Sequence, residues 1–209
     1  MSMWFDLGLQ ALMFVVGIGM YLWMNDDIPR KLIHRYYSYR NRNSHQSRRH
    51  FVKAAELLSK ARSYPASSPQ RVSLAASCAA EAEAAVGLDP SDAANHIVRA
   101  LALDLQGYKT SALEALDAAL SPLAAGSLSP EEKADALLKR AQLRLEMCRD
   151  ESVLRVAEAE LREAVKLNKE CAKAWNLLGE CHQALGNTQL ASDAFQESLR
   201  LDPASASAS

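Results

Sequence analysis

AWNLLGECHQALGNTQLASDAFQESLRLDP, residues 174–203, is the stretch that decides the fold. Its apolar and small residues recur at intervals of three and four, which places them on one face of an α-helix. Gly186-Asn187 breaks the pattern in the middle, and Asp202-Pro203 ends it. The stretch therefore reads as two short helices joined by a tight turn. Such a pair cannot bury its own apolar face, so it needs neighbours that stack against it.

Those neighbours lie upstream. AVKLNK (164–169) stands 34 residues before SLRLDP (198–203), so Ala164 matches Ser198 and Leu161 matches Phe195. In that copy Ala141 stands in the place of Gly179. A four-residue insertion around Cys148–Ser152 is expected to lengthen its turn, and Ser129-Pro130-Glu131-Glu132 opens it as a capping box. GYKTSALEALDAAL (107–120) aligns with GNTQLASDAFQESL (186–199), with Gly107, Ala112, Leu116 and Ala119 in the places of Gly186, Ala191, Phe195 and Ser198. Its inner helix runs from about Ala93 to Gln106. HFVKAAELLSKARSY (50–64) and PQRVSLAASCAAEAEAAVGLDP (69–90) form a weaker first pair, with Ser68-Pro69 expected to cap its second helix.

The last hairpin resembles a tetratricopeptide repeat, whose 34-residue pattern of Trp, Leu-Gly, Tyr, Ala, Phe and Pro spans two antiparallel helices. Those places hold Trp175, Leu178-Gly179, His182, Ala191, Phe195 and Pro203. His182 departs from the usual Tyr and Ser198 from the usual Ala. Gly179 and Ala191 are small where two helices approach closely, while Trp175, Leu178 and Phe195 fill the space beside them. Pro203 stops one helix where another would begin. The resemblance implies an all-α protein, a tetratricopeptide-like α-solenoid of about four hairpins over residues 46–203. On the helix 188–201, Leu190, Ala191, Ala194, Phe195, Ser198 and Leu199 share one face. Gln189, Asp193, Gln196 and Arg200 form a polar outer face that would end the stack. Residues 204–209 are expected to be a disordered tail.

The beginning of the chain is different. From Leu7 to Met24 the only strongly polar side chain is Gln10, and Trp4 and Trp23 bracket the run. Nineteen helical steps of about 1.5 Å separate the two tryptophans by roughly 28 Å, close to the thickness of a bilayer's hydrocarbon core. Tryptophan favours the headgroup boundary, so residues 1–27 are expected to be a transmembrane anchor, in the bilayer over residues 4–24. A cleaved signal peptide would carry a basic residue before the run and a small-residue cleavage site after it, and the sequence has neither. Residues 28–45 are expected to be a basic juxtamembrane linker. Between Ile28 and Ala55 there are eight Lys/Arg and no acid. Basic residues just beyond a span hold that side in the cytoplasm, so the body is expected there, on a single-pass protein. Signal anchors of mitochondrial and plastid outer membranes and of the endoplasmic reticulum all look like this. The basic run Arg30–Arg49 suits anionic lipid headgroups. Its Tyr–Arg interleaving also resembles a nucleic-acid patch, but no recognised module accompanies it, and nucleic acid is not expected as a partner.

The sequence carries no motif for catalysis: no G-x-S-x-G, no H-E-x-x-H and no P-loop. Cys171, Cys181 and His182 lack the spacing and the fourth ligand of a zinc site. The four cysteines fall in helical patterns without a C-x-x-C pair and read as small buried apolar groups. No enzyme activity, metal or cofactor is therefore expected. What remains is recognition of a protein or peptide. In tetratricopeptide proteins the first helix of each hairpin lines a groove that receives the partner. The resemblance places Ala94, Ile97 and Leu101, then Asp135, Leu138 and Gln142, then Lys173, Asn176 and Glu180 on that face. Mere helix packing is an equally good account of any one of them. Two functions stay open: a membrane-anchored adaptor, receptor or scaffold that uses the groove, or a structural subunit or assembly factor that does not.

Overall fold

A computed structural model describes residue 13 and residues 27–203, with side chains at residue 13 and from residue 43 onward. The expected anchor with Trp4 and Trp23 and the expected tail at 204–209 lie outside the described residues. Among the described residues no helix is long and apolar enough to cross a membrane. The chain divides into two compact units, Met1–His45 and Gln46–Ser209, and the second holds the hairpins.

Eight α-helices and no strand occur among the described residues. They are α1 (Asp27–Ser63), α2 (Pro69–Leu88), α3 (Ala93–Leu105), α4 (Lys109–Ala119), α5 (Pro130–Met147), α6 (Glu151–Leu167), α7 (Ala172–Ala184) and α8 (Thr188–Leu201), with a 3-10 turn at Ala125–Ser127. The basic segment 28–45 is helical throughout, as the first part of α1. Pro29 falls in the first turn, where its missing N–H is harmless, and no further Pro or Gly occurs before Pro65, two residues beyond the helix end.

Three hairpins close in three residues each: Gln106–Tyr108, Cys148–Asp150 and Leu185–Asn187. Gly107 and Gly186 take φ of 86° and 79°, a left-handed conformation that a β-carbon disfavours. The insertion near Cys148–Ser152 does not lengthen the turn, contrary to expectation. It lengthens the helix instead: α5 has 18 residues where α3 and α7 have 13. Arg144–Met147 are good helix formers with no breaker among them, so the helix propagates to Cys148.

The capping box forms as expected. The Glu132 N–H donates to Ser129 Oγ (3.2 Å) and the Ser129 N–H donates to Glu132 Oε2 (2.9 Å). Ser68 stands at the N-cap of α2 but makes no side-chain cap; its hydroxyl donates to the Gln70 side chain instead. Three of the outer helices, α2, α6 and α8, end alike. The N–H groups of Asp89, Asn168 and Asp202 each donate, at 2.9 Å, to the carbonyls of Ala85, Ala164 and Ser198.

The core is a relay of small residues. Ala54 and Leu58 of α1 pack with Cys78 and Ala82 of α2 and Val98 and Ala102 of α3. Ala100 of α3 belongs to the next cluster, with Leu116 of α4 and Leu143 of α5. Leu137, Leu161, Leu178 and Ala194 then join α5, α6, α7 and α8 in one continuous cluster. Phe195 lies directly over Gly179, where a β-carbon would approach its ring to 2.6 Å. Ser198, in place of the usual Ala, is buried and donates to the Ala172 carbonyl at 3.0 Å, tying α8 to α7. Leu190 and Leu199 depart from the expected buried face of α8. They are 51% and 43% exposed because they flank the Ala191–Ala194–Ser198 stripe rather than lie in it. Gln189, Asp193, Gln196 and Arg200 are exposed, leaving the outer face polar.

One buried polar network holds α1 to its neighbours. Asn95, fully buried, donates from Nδ2 to Ser47 Oγ (3.0 Å) and to the Asp89 carbonyl (3.2 Å), while the Ser47 hydroxyl donates to the Ala85 carbonyl (3.1 Å). Loss of the amide would strand polar groups that burial has removed from water.

Candidate functional site

The inner helices α5 and α7 present stripes at three- and four-residue spacing. Asp135, Leu138 and Gln142 lie along α5, and Lys173, Asn176 and Glu180 along α7. Between them opens a recess of about 270 Å³, lined by Leu138, Gln142, Ala172, Lys173, Asn176, Leu177, Ser198 and Asp202. It brings together four residues marked from the sequence, from two different hairpins. Leu138, Leu177 and Ala172 supply an apolar wall, and both leucines also pack on the buried cluster beneath.

The polar rim is already oriented. Gln142 donates from Nε2 to Glu146 Oε1 (2.9 Å), and Asn176 donates from Nδ2 to Glu180 Oε1 (3.1 Å). With those donors engaged, each amide oxygen is left as the acceptor. Glu146 is in turn held by Lys109 at 2.7 Å, and that hydrogen bond keeps its carboxyl below the ordinary range. Lys173 is exposed and makes no ion pair among the described residues. The arrangement offers two amide acceptors, one cation, the Asp202 carboxylate and an aliphatic surface within one depression. Chemically, such a set can accept N–H groups at the amides, cover an apolar side chain with the leucines and pair an acid with Lys173.

The other marked residues lie elsewhere. Glu180 orients Asn176 from the rim and sits 3.9 Å from Arg149. Ile97 is half-buried against two clusters, one centred on Leu116 and one on Ala119. Leu101 is half-buried against the α1–α3 cluster. Ala172, Leu177, Ser198 and Asp202 were not marked from the sequence. Of these, Leu177 carried a legible signal, because it stands four residues after Lys173 on the same helical stripe.

The repeat-defining residues behave structurally. Trp175 is half-buried and its indole donates to the Lys169 carbonyl at 3.0 Å. His182 is buried in the Tyr position, its Nδ1 3.9 Å from Glu158 Oε1. Cys78 and Cys181 are fully buried, and burial pushes both thiols up to about 11, which keeps them protonated and unreactive at neutral pH. Outside the recess, the nearly buried Glu160 lies 2.8 Å from Arg140 Nε and 3.4 Å from Arg144 Nε. Both arginines also reach Asp117.

Comparison with known proteins agrees with this geometry. Residues 154–206 match the family model described as tetratricopeptide repeat. Two crystal structures of MamA are similar to this chain. One is 18% identical, covering 74% of this chain and 81% of that one at a TM-score of 0.55; the other is 17% identical, covering 74% and 76% at a TM-score of 0.53. At that identity the likeness is one of fold. No curated protein matches the sequence significantly. Residues 154–206 thus carry the tetratricopeptide repeat match, and the eight helices among the described residues have the architecture of a tetratricopeptide-like solenoid.

Proposed function

We propose that this chain is a membrane-anchored interaction module that takes an extended peptide segment of a partner protein in the recess between α5 and α7. The observation that carries the reading is the convergence of Leu138, Gln142, Lys173 and Asn176 in one depression. The interaction role itself follows from the tetratricopeptide architecture; the adaptor or receptor role, the anchor and the peptide ligand are our reading. Residues 4–24, with Trp4 and Trp23 at the two interfaces, would hold the chain in a bilayer. The basic run Arg30–Arg49 would keep the body on the cytosolic side, against anionic headgroups.

Peptide display against the full chain in neutral detergent tests the ligand. Selected sequences should share an aliphatic residue close to an acid, and Lys173→Glu should weaken their binding at least tenfold. Selection of sequences indifferent to Lys173→Glu and to Leu138→Ser would defeat the reading. Protease treatment of sealed vesicles tests the topology, since a protected body would reverse it. The second reading, a structural subunit docked through another face, is favoured by a different feature. Met147 and Val156, each 45% exposed, line an apolar depression beside the α5–α6 turn together with Leu113 and Val153. Binding that survives the Lys173 change but not Val156→Asp would select that alternative.

A further inference from the structure

Where α1 enters the body, Gln46, Arg49, His50 and Lys53 lie at the three- and four-residue spacing of one helical face. With Glu81 of α2 they line an open recess of about 460 Å³, separate from the one between α5 and α7. Glu81 shows how these side chains converge. Its carboxylate takes Lys53 Nζ on Oε1 and His50 Nδ1 on Oε2, the latter at 2.8 Å. Those hydrogen bonds keep the Glu81 carboxyl below the ordinary range, so it stays ionised and fixes both partners. Arg49 and Gln46 engage no partner among the described residues. A guanidinium and an amide are therefore available beside an ammonium and an imidazole already held in place.

We infer that this recess binds a phosphate monoester group, presented either by free phosphate or by a lipid headgroup. A carboxylate accepts through two oxygens, and Glu81 already supplies one to Lys53 and His50. The unused donors of Arg49, Lys53 and Gln46 suit an anion with more oxygens and a double charge, for which an arginine fork beside a lysine is well matched. No acid lies on α1 between Arg30 and Ala55, so Glu81 is the local counter-charge. This inference stands on the recess alone and does not depend on the peptide reading or on the anchor.

The test uses the full chain in neutral detergent, titrated with inorganic phosphate and, separately, with short-chain phosphatidic acid. Short-chain phosphatidylcholine serves as the blank. Either phosphate probe should bind saturably, seen as a concentration-dependent rise in melting temperature. The double change Arg49→Gln with Lys53→Gln should lower that affinity at least tenfold. Glu81→Gln removes the competing negative charge while its amide oxygen can still accept from Lys53, so it should tighten binding several-fold, a gain that misfolding cannot produce. Response to inorganic phosphate assigns a soluble source; response to phosphatidic acid alone assigns a headgroup. Equal weakening by Arg162→Gln with Lys166→Gln, cations on α6, would mean diffuse surface attraction and overturn the site. So would saturation by phosphatidylcholine, failure of both phosphate probes, or weaker binding in Glu81→Gln.

Discussion

A β-carbon at Gly179 would lie 2.6 and 2.7 Å from Cε1 and Cδ1 of Phe195, and 3.0 Å from its Cζ. The half-buried ring lies directly over Gly179, so it must shift to admit a methyl group. Gly179→Ala should therefore destabilise by about 1–3 kcal/mol, the usual cost of overpacking, as measured by urea denaturation. Adding Phe195→Leu should recover part of the loss, because the smaller side chain withdraws the clashing atoms. Two carboxylates make opposite demands on pH. Burial raises the Glu160 carboxyl above its ordinary 4.5 despite the pull of Arg140 and Arg144. The folded chain then holds that proton more tightly than the unfolded chain. Its stabilising contribution is complete below the ordinary value and is lost as pH rises through the folded one. Glu81 is lowered by its hydrogen bonds from Lys53 and His50, so its contribution is present above the ordinary 4.5 and disappears on acidification. Relative to Glu160→Gln, the wild type should gain stability as pH falls; relative to Glu81→Gln, it should lose stability. Denaturation at a series of acid pH values reads both slopes, and slopes of equal sign would contradict the assignment.

At the scale of a helix or a turn, the strongest local signals came from residues whose partners lie within a few positions. Ser129 and Glu132 are three apart and bond reciprocally, and Ser129→Ala should cost about 1 kcal/mol of stability by chemical denaturation. Gly107 and Gly186 stand where a left-handed turn requires them, and the 34-residue spacing placed matching alanines correctly in the core. Other features could not be read this way because something non-local decides them. Ser68 sits before a proline like Ser129, yet its hydroxyl turns to Gln70, since Arg71 holds the third helical position, where a Glu or Gln would have been needed to reciprocate. The insertion near Cys148 looked like loop, but α5 absorbed it because both hairpin partners lengthened together, α6 reaching 17 residues. Ile97 and Leu101 share the inner-helix stripe of Leu138 and are half-buried like it, but they pack against other clusters and stand outside the recess. Asn95 gave no signal in sequence, since nothing local sets it apart from the other polar residues of its helix, His96, Arg99 and Asp104. Its role depends on Ser47, 48 residues away. Asn95→Ala should cost about 1–3 kcal/mol, because the Asp89 carbonyl and the Ser47 hydroxyl lose a buried partner. Amide exchange should then rise in α1 and α2 before it rises in α7 and α8.

Across the whole body, cohesion is uneven. The α5–α8 half shares one cluster anchored by Leu137, Leu161 and Leu178, whereas the junction between α4 and α5 rests on alanines with Leu116 and Leu143. That junction is where ion pairs concentrate. Lys139 meets Asp104 at 2.7 Å, Lys109 meets Glu146 at 2.7 Å, and Arg140 and Arg144 both meet Asp117. A stack in which each hairpin touches only its neighbours is stabilised by the sum of such interfaces, so its weakest interface sets where cooperativity breaks. The ten-residue connection Leu120–Ser129 adds to the separation; its main tie to α3 is the Ala93 N–H donated to Ser127 Oγ at 3.0 Å. The partner recess lies wholly on the C-terminal side of this junction and the basic recess wholly on the other, so the two sites belong to separately stabilised halves. Leu143 is fully buried at the junction, and Leu143→Ala should cost about 2–5 kcal/mol, with the lower end favoured where small neighbours can close in. Native-state hydrogen exchange gives the sharper readout. In the variant, amides of α3 and α4 should exchange through openings that leave α7 and α8 protected. Raising the salt concentration should widen that gap in the wild type by screening the exposed ion pairs. Uniform loss of protection over both halves, at low and high salt alike, would mean that the body unfolds as one unit and that the α4–α5 junction is no weaker than the rest.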